Sequence, residues 1–174
     1  PRAPAEKPYD GPPLAAAAAS AYDANGNELK VEYQKADGSW TENPAEITAT
    51  AVADSTEVSV RVSSEGNYTG YVEGKQKLTV TKRPVTITGE GWDAEQPYTG
   101  AEYSTDKYAA EGLAADQSVA ELTYQLKGTN VGTYTGEFSG LKIAGKDGSD
   151  VTANYEPSYV KGSLKITAAE IAKY

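Results

Sequence analysis

Two short stretches space side-chain oxygens as a calcium loop does. Asp23-Ala24-Asn25-Gly26-Asn27-Glu28 and Lys146-Asp147-Gly148-Ser149-Asp150 both set acids, amides or hydroxyls on alternate positions. An EF-hand loop needs Gly at its sixth position and a bidentate Glu at its twelfth. In the first stretch Gly is fourth and no acid follows at the right distance, and the second departs in the same way. Both therefore read as hairpin turns. No metal site and no cofactor is expected.

Catalysis has few residue types to draw on. The chain contains no Cys, no His and no Met. That removes disulfides, thiol nucleophiles, Ser-His-Asp triads and His-ligated metals. Two carboxyl groups about 5 to 9 Å apart across a cleft could hydrolyse a glycoside. The sequence nominates no pair among its 25 acids. Most lie in polar or turn context, where a solvated face is the ordinary role. No catalytic residue is assigned, and the chain is expected not to be an enzyme.

Aromatic side chains offer a second chemistry. Trp92, Tyr98 and Trp40, with Tyr103 and Tyr108, could form a flat platform on which a sugar ring stacks, since aromatic rings supply large contact area with a polar handle. The competing role is core filling. With 13 Tyr against a single Phe, Tyr must do packing that Phe does elsewhere. Trp40 follows a hairpin turn and is expected to clamp it. Trp92 lies in the polar stretch Gly89-Glu90-Gly91-Trp92-Asp93, where exposure is expected. A third chemistry is an intramolecular Lys–Asn amide, which requires a buried Lys beside an Asn and an acid. Lys30, Lys142 and Lys165 sit in β-like runs, but their alternation places them on the polar face, and an unpaired buried Lys is costly.

The elements that carry these residues have a period of two. Leu29, Val31 and Tyr33 alternate with Lys30, Glu32 and Gln34. Val58, Val60 and Val62 alternate with Ser59 and Arg61, and Leu122, Tyr124 and Leu126 with Glu121, Thr123 and Gln125. Such alternation marks strands with one buried face. Turn chemistry separates them at Asn25-Gly26, Asp37-Gly38, Gly66-Asn67 and Asp147-Gly148. Ala36-Asp37-Gly38-Ser39 is the clearest hairpin. The run Leu14 to Ala21 is nearly all Ala, the best helix former. It is too short to hold as a lone helix, so strand is expected there, with helix as the alternative. Asp150-Val151-Thr152-Ala153 could make one helical turn capped by Ser149 or Asp150. Leu, Ile, Val and Phe make up only about 15% of the chain, within the range of disordered chains. The alternation and the turns argue for a folded one whose cores use Tyr, Thr and Ala.

The chain also repeats itself. Lys7-Pro8-Tyr9-Asp10-Gly11 recurs as Gln96-Pro97-Tyr98-Thr99-Gly100. Asn67-Tyr68 through Tyr71-Val72-Glu73-Gly74 recurs as Asn154-Tyr155 through Tyr159-Val160-Lys161-Gly162. Leu78-Thr79-Val80-Thr81 recurs as Leu164-Lys165-Ile166-Thr167. Start and end motifs agree on two modules. They run over residues 8–83 and 84–167, with 1–7 as a lead-in and 168–174 as the start of a link. Tyr68 and Tyr155, at corresponding places, are expected to be structural. Asn130-Val131-Gly132-Thr133-Tyr134 has the spacing of the tyrosine corner of immunoglobulin-like domains, in which the hydroxyl bonds nearby backbone. Copy one offers Asp54-Ser55-Thr56-Glu57-Val58 at the matching place, without the Tyr.

These phrases resemble the MBG and YDG repeat modules of long bacterial surface proteins, in particular Lys7-Pro8-Tyr9-Asp10-Gly11, Asn130 to Tyr134, and Asn154-Tyr155 through Tyr159 to Thr167. The second copy resembles the pattern over nearly its whole length, with Thr99 where the YDG type has Asp. The resemblance implies tandem β-rich modules, and with the alternation and the tyrosine-corner spacing the expected fold is all-β, two tandem immunoglobulin-like sandwich modules. The alternative is a pair of β-grasp-like modules with one short helix each. It further implies an extracellular place on a Gram-positive cell surface, in a wall-anchored parent. There the modules would act as a stalk or spacer that stacks end to end on adjacent repeats and holds a distal adhesive region away from the wall. The alternative function is a module that binds a host or dietary glycan, or mucin. The net charge of −9 argues against nucleic acid, whose phosphates need a basic footprint. No apolar run is long enough to span a bilayer. Beginning at Pro1 without a signal-type segment, the chain reads as a piece of a longer protein.

Overall fold

The computed structural model describes residues 5–63 and 71–172. The fold is all-β. Among the described residues the helical content is limited to three 3-10 turns, Pro44–Glu46, Val52–Asp54 and Thr152–Asn154. The chain divides into two compact units, Pro1–Lys82 and Arg83–Tyr174. No helix among the described residues is long and apolar enough to cross a membrane.

Unit 1 contains β1 (Ala5–Pro8), β2 (Leu14–Ala15), β3 (Ala21–Tyr22), β4 (Glu28–Leu29), β5 (Glu32–Gln34), β6 (Trp40–Thr41), β7 (Thr48–Ala49), β8 (Thr56–Ser63) and β9 (Tyr71–Thr81). One sheet has the order β1-β9-β8-β5-β6. β1 is parallel to β9, and the other neighbours are antiparallel. β2 with β7 and β3 with β4 form separate short ladders. The alternation of β8 turns Val58, Val60 and Val62 to one face. They stand opposite Gln76, Gly74 and Val72 of β9. Val58, Leu78, Val80, Tyr9, Tyr33 and Ala49 are buried as the core. The hairpin at Asp37-Gly38 forms as expected, with Gln34 opposite Trp40 and the Lys35 N–H donating to Ser39 O at 2.7 Å. Gly38 takes φ +88°, a left-handed conformation that a side chain disfavours.

The Ala-rich run is not a helix, so the β-grasp alternative lacks the helix it would need in copy one. It is a strand only at its ends, in β2 and β3. Between them side chains and a neighbouring loop satisfy the backbone. The Ala16 N–H donates to Ile47 O at 2.8 Å, Gln76 Nε2 to Ala17 O at 2.8 Å, and the Ala19 N–H to the Tyr33 hydroxyl at 2.6 Å. Ala reads as helical because it imposes no alternative of its own. Here partners distant in sequence decide its conformation. β1 takes in Ala5 to Lys7, assigned above to a lead-in, because each of these residues pairs with β9.

Unit 2 contains β10 (Arg83–Gly89), β11 (Gln96–Pro97), β12 (Tyr103–Thr105), β13 (Tyr108–Glu111), β14 (Ser118–Gly128), β15 (Gly132–Thr135), β16 (Glu137–Ala144), β17 (Tyr155–Val160) and β18 (Ser163–Thr167). They form sheets of order β13-β10-β17, β11-β18-β15 and β12-β14-β16. Val85 and Ile87 of β10, Tyr124 and Leu126 of β14, Ile143, Tyr155, Leu164 and Ile166 are buried. The helical turn expected at Asp150 to Ala153 is the 3-10 turn Thr152–Asn154. Asp150 Oδ1 accepts the Thr152 N–H at 3.0 Å.

Corresponding motifs make corresponding pairs in the two units. Pro8 is opposite Thr81 and Pro97 opposite Thr167, both in parallel ladders. Tyr33 is opposite Val60 and Tyr124 opposite Phe138, both in antiparallel ladders. Thr56 is opposite Leu78, as Tyr134 is opposite Leu164. The last pair moves the copy-one counterpart of Tyr134 from Val58 to Thr56. Strand register, which the sequence does not display, sets that alignment.

Candidate functional site

A parallel seam joins the start and the end of unit 2. β10 runs beside β17 from Arg83 opposite Tyr155 to Thr88 opposite Val160. Past the end of β10, the Trp92 N–H donates to Ser163 O at 2.8 Å. β11 then runs beside β18, with Gln96 opposite Ile166 and Pro97 opposite Thr167. The Tyr98 N–H closes the seam on Thr167 O at 2.8 Å. Residues 83–98 thus stay beside residues 155–167 while both pass from one sheet to another. Unit 1 has the corresponding end of this seam. β1 pairs in parallel with Leu78 to Thr81, and the Tyr9 N–H donates to Thr81 O at 2.8 Å.

The passage between sheets is stapled by Tyr124. Its hydroxyl donates to Glu90 O at 2.7 Å and accepts the Gly162 N–H at 3.1 Å, one partner from each side of the seam. The ring lies where a Cβ on Gly89 or Gly136 would collide with it, and the hydroxyl and the Glu90 carbonyl lie where a Cβ on Gly162 would. A Cβ on Gly91 would stand 2.6 Å from the Ser163 nitrogen. Close approach of backbones and ring therefore demands glycine at the crossing. Burial raises the Tyr124 pKa, opposed by the bond from the Gly162 N–H. Phe138 packs at 4.4 Å between ring centroids, and Tyr159 follows Phe138 at 5.1 Å.

The other structural tyrosines also find partners. Tyr155 is buried, and its hydroxyl accepts the Ala114 N–H at 3.0 Å and bonds Gln117 Oε1. The Tyr134 hydroxyl donates to Asn130 O at 2.8 Å, and its ring lies against Gly128. Tyr68 lies outside the described residues, as does the Gly66-Asn67 turn.

The aromatic residues singled out for sugar stacking are not one platform within a unit. Trp40 belongs to unit 1, and the Arg61 guanidinium covers its ring at 3.9 Å. Arg61 Nε also lies 3.4 Å from Glu32 Oε1. Trp92 is half-buried rather than exposed. It packs against the core of Tyr124, Leu126, Leu164 and Ile166, and meets Tyr103 edge-on at 5.9 Å. The passage at Gly91 turns it inward, which a count of polar neighbours does not reveal. The Tyr103 hydroxyl donates to Pro97 O at 2.7 Å. Tyr98 is 42% exposed, and Tyr108 of β13 is exposed too.

The remaining candidates have ordinary roles. Lys30, Lys142 and Lys165 are exposed and pair with Glu42, Glu121 and Glu95 at 3.5, 3.6 and 2.8 Å. Glu95 raises the Lys165 pKa. In the Asp23 loop, Asp23 Oδ1 accepts the N–H groups of Asn25 and Asn27, each at 2.8 Å. In the Asp147 loop, Asp147 Oδ1 accepts the Ser149 hydroxyl at 2.6 Å and its N–H at 3.0 Å. These carboxylate oxygens are occupied by their own turns. Among the described residues no group of His, Cys, Asp or Glu could hold a metal ion. The carboxyls of Asp37, Asp147 and Asp150 are held below the usual range by donating hydroxyls of Ser39, Ser149 and Thr152, then by backbone N–H groups. A general acid needs the opposite shift.

No family model, no curated protein and no solved structure matches this chain. Its functional reading therefore rests on the seam and on the chemistry its residues provide.

Proposed function

We propose that the chain is a non-catalytic stalk or spacer segment of a bacterial cell-surface protein, made of two tandem immunoglobulin-like sandwich modules of the MBG/YDG type. In this reading it holds a distal adhesive region away from the wall. The observation that carries the proposal is the parallel seam. Tension reaches a spacer through its two ends. In unit 2 it enters at Arg83, the start of β10, and leaves at Thr167, the end of β18. Parallel strands pulled from opposite ends slide along each other, so their evenly spaced bonds are loaded together. A hairpin pulled apart at its open end releases its bonds one at a time. In unit 1 the same loading falls on the ladder between Ala5–Pro8 and Leu78–Thr81.

The glycan-binding alternative has less support. Trp92 serves the core, and the Trp40 ring is covered by Arg61. The test of the cellular reading is surface labelling. Antibody raised against this chain should stain intact cells of the source bacterium, and shaving those cells with protease should remove the signal. Staining that needs permeabilised cells would contradict it.

A further inference from the structure

We propose that Asn25-Gly26 is a self-modifying site, where the chain converts Asn25 to aspartate or isoaspartate and so loosens the hairpin of β3 and β4. The Gly26 backbone nitrogen attacks Asn25 Cγ. A C–N bond forms and closes a cyclic imide, and the side-chain nitrogen leaves as ammonia with the proton that the Gly26 nitrogen loses. Water then opens the imide. Opening at the side-chain carbonyl gives aspartate, and opening at the main-chain carbonyl gives isoaspartate.

The sequence confines the reaction to one place. Of the six Asn, only Asn25 precedes Gly, so only there does no side chain stand beside the attacking nitrogen. Asn43 precedes Pro44, which has no N–H to give. The structure leaves the turn open. Asn25 and Gly26 are exposed. No atom beyond its chain neighbours lies within 4 Å of where a Cβ on Gly26 would stand. The Gly26 N–H donates to Asp23 O at 3.1 Å. β3 and β4 hold each other through two pairs, Ala21 with Leu29 and Tyr22 with Glu28. So short a ladder opens locally at little cost, which frees the nitrogen.

Three Asp-Gly turns could follow the same route, and each is guarded. An ionised carboxylate resists attack because it offers no leaving group. Asp37 Oδ1 accepts the Ser39 hydroxyl at 2.5 Å and its N–H at 2.9 Å. Ser149 does the same for Asp147, and Lys7 Nζ stands 2.7 Å from Asp10 Oδ1. Asn25 has no such guard. Its carboxamide is neutral, and the residue two ahead, Asn27, donates its side-chain amide to Asp23 Oδ2 at 3.0 Å instead.

The product alters unit 1. Asp23 Oδ1 accepts the N–H groups of both Asn25 and Asn27. Isoaspartate lengthens the backbone between those two donors by a carbon and pulls them off their common acceptor. Either product also sets a second carboxylate two residues from Asp23. The conversion follows from the turn alone, and holds whether or not the chain is a spacer.

The test incubates the folded full chain in mildly alkaline buffer and maps its peptides by mass spectrometry. Methyl transfer from S-adenosylmethionine by an isoaspartyl methyltransferase counts isoaspartate separately. Asn25 should gain acid several-fold faster than Asn27, Asn130 or Asn154, and Asn25→Gln should abolish the early isoaspartate signal. Ser149→Ala should bring new isoaspartate to Asp147-Gly148. In the converted chain, amide exchange at Asn25 and Asn27 should be several-fold faster than in the fresh chain. Conversion of Asn25 no faster than that of Asn130, isoaspartate at Asp37 or Asp147 of the unaltered chain as early as at Asn25, or unchanged exchange after conversion would overturn the proposal.

Discussion

The Tyr124 hydroxyl donates to the Glu90 carbonyl at 2.7 Å, at the point where the first and last strands of unit 2 change sheets together. The same oxygen accepts the Gly162 N–H. One side chain thus ties both sides of the seam where ladder bonds are interrupted. Tyr124→Phe keeps the ring on its glycines and takes the hydroxyl partner from two part-buried backbone groups, Glu90 O and Gly162 N–H. It should destabilise unit 2 by about 2 kcal/mol, measured by chemical denaturation with Trp92 fluorescence. An unchanged midpoint would mean that water replaces the hydroxyl at no cost.

Gly162→Ala is the steric counterpart. The added methyl would meet the Glu90 carbonyl oxygen and the Tyr124 hydroxyl, and a backbone neighbour cannot rotate away. The expected cost is about 3 kcal/mol, confined to unit 2. Gly148→Ala has open space at its Cβ but left-handed φ at +83°. It should cost less, about 1 kcal/mol.

Stability should depend on pH only at the extremes. With the Tyr124 pKa raised in the fold, above the ordinary tyrosine value of about 10 the unfolded chain releases a proton that the folded chain keeps. Stability therefore falls as pH climbs beyond that value. Asp37, Asp147 and Asp150 are shifted down. Their contribution is complete above the ordinary carboxyl value of about 4 and is lost as pH falls below it. The chain has no His to titrate in between. Thermal melts should show a plateau from about pH 5 to about pH 9, and Tyr124→Phe should lessen the alkaline decline of unit 2, the rest of which comes from Lys165, whose pKa Glu95 raises.

Trp92 separates packing from recognition. Because it packs on Tyr103 and the unit 2 core, Trp92→Ala should destabilise unit 2 by about 2 kcal/mol. A sugar-stacking Trp would instead lose glycan binding with stability intact. Titration of the folded chain with a glycan panel, alongside denaturation of the variant, distinguishes the two.

Much of the strand structure was legible because it is local. The alternation in Val58 to Val62 and in Leu122 to Leu126, and the Asp37-Gly38 turn, are statements about neighbours. The Ala run was harder, because Gln76 and Tyr33 decide its conformation from far along the chain. The Tyr124 staple was hidden for the same reason. Gly89, Gly136 and Gly162 converge on one tyrosine side chain, and no spacing in the sequence connects them. The Asn130 to Tyr134 spacing did indicate a hydroxyl bond to upstream backbone, which Tyr134 makes to Asn130 O. Trp92 misled because a polar neighbourhood in sequence became the lid of a core.

The central claim is that the parallel seam bears load, and single-molecule pulling tests it directly. The native chain has no Cys, so introduced cysteines give unique handles. In one geometry unit 2 is pulled through the chain ends. In the other it is pulled between Ser118→Cys and Ala144→Cys, which face each other across β14 and β16. Forced unfolding reports the barrier along the pulled direction. Pulling from the ends should require a several-fold higher force than opening the β14–β16 ladder, and Tyr124→Phe should lower only the former. Equal forces in the two geometries, or a lower force from the ends, would contradict the account.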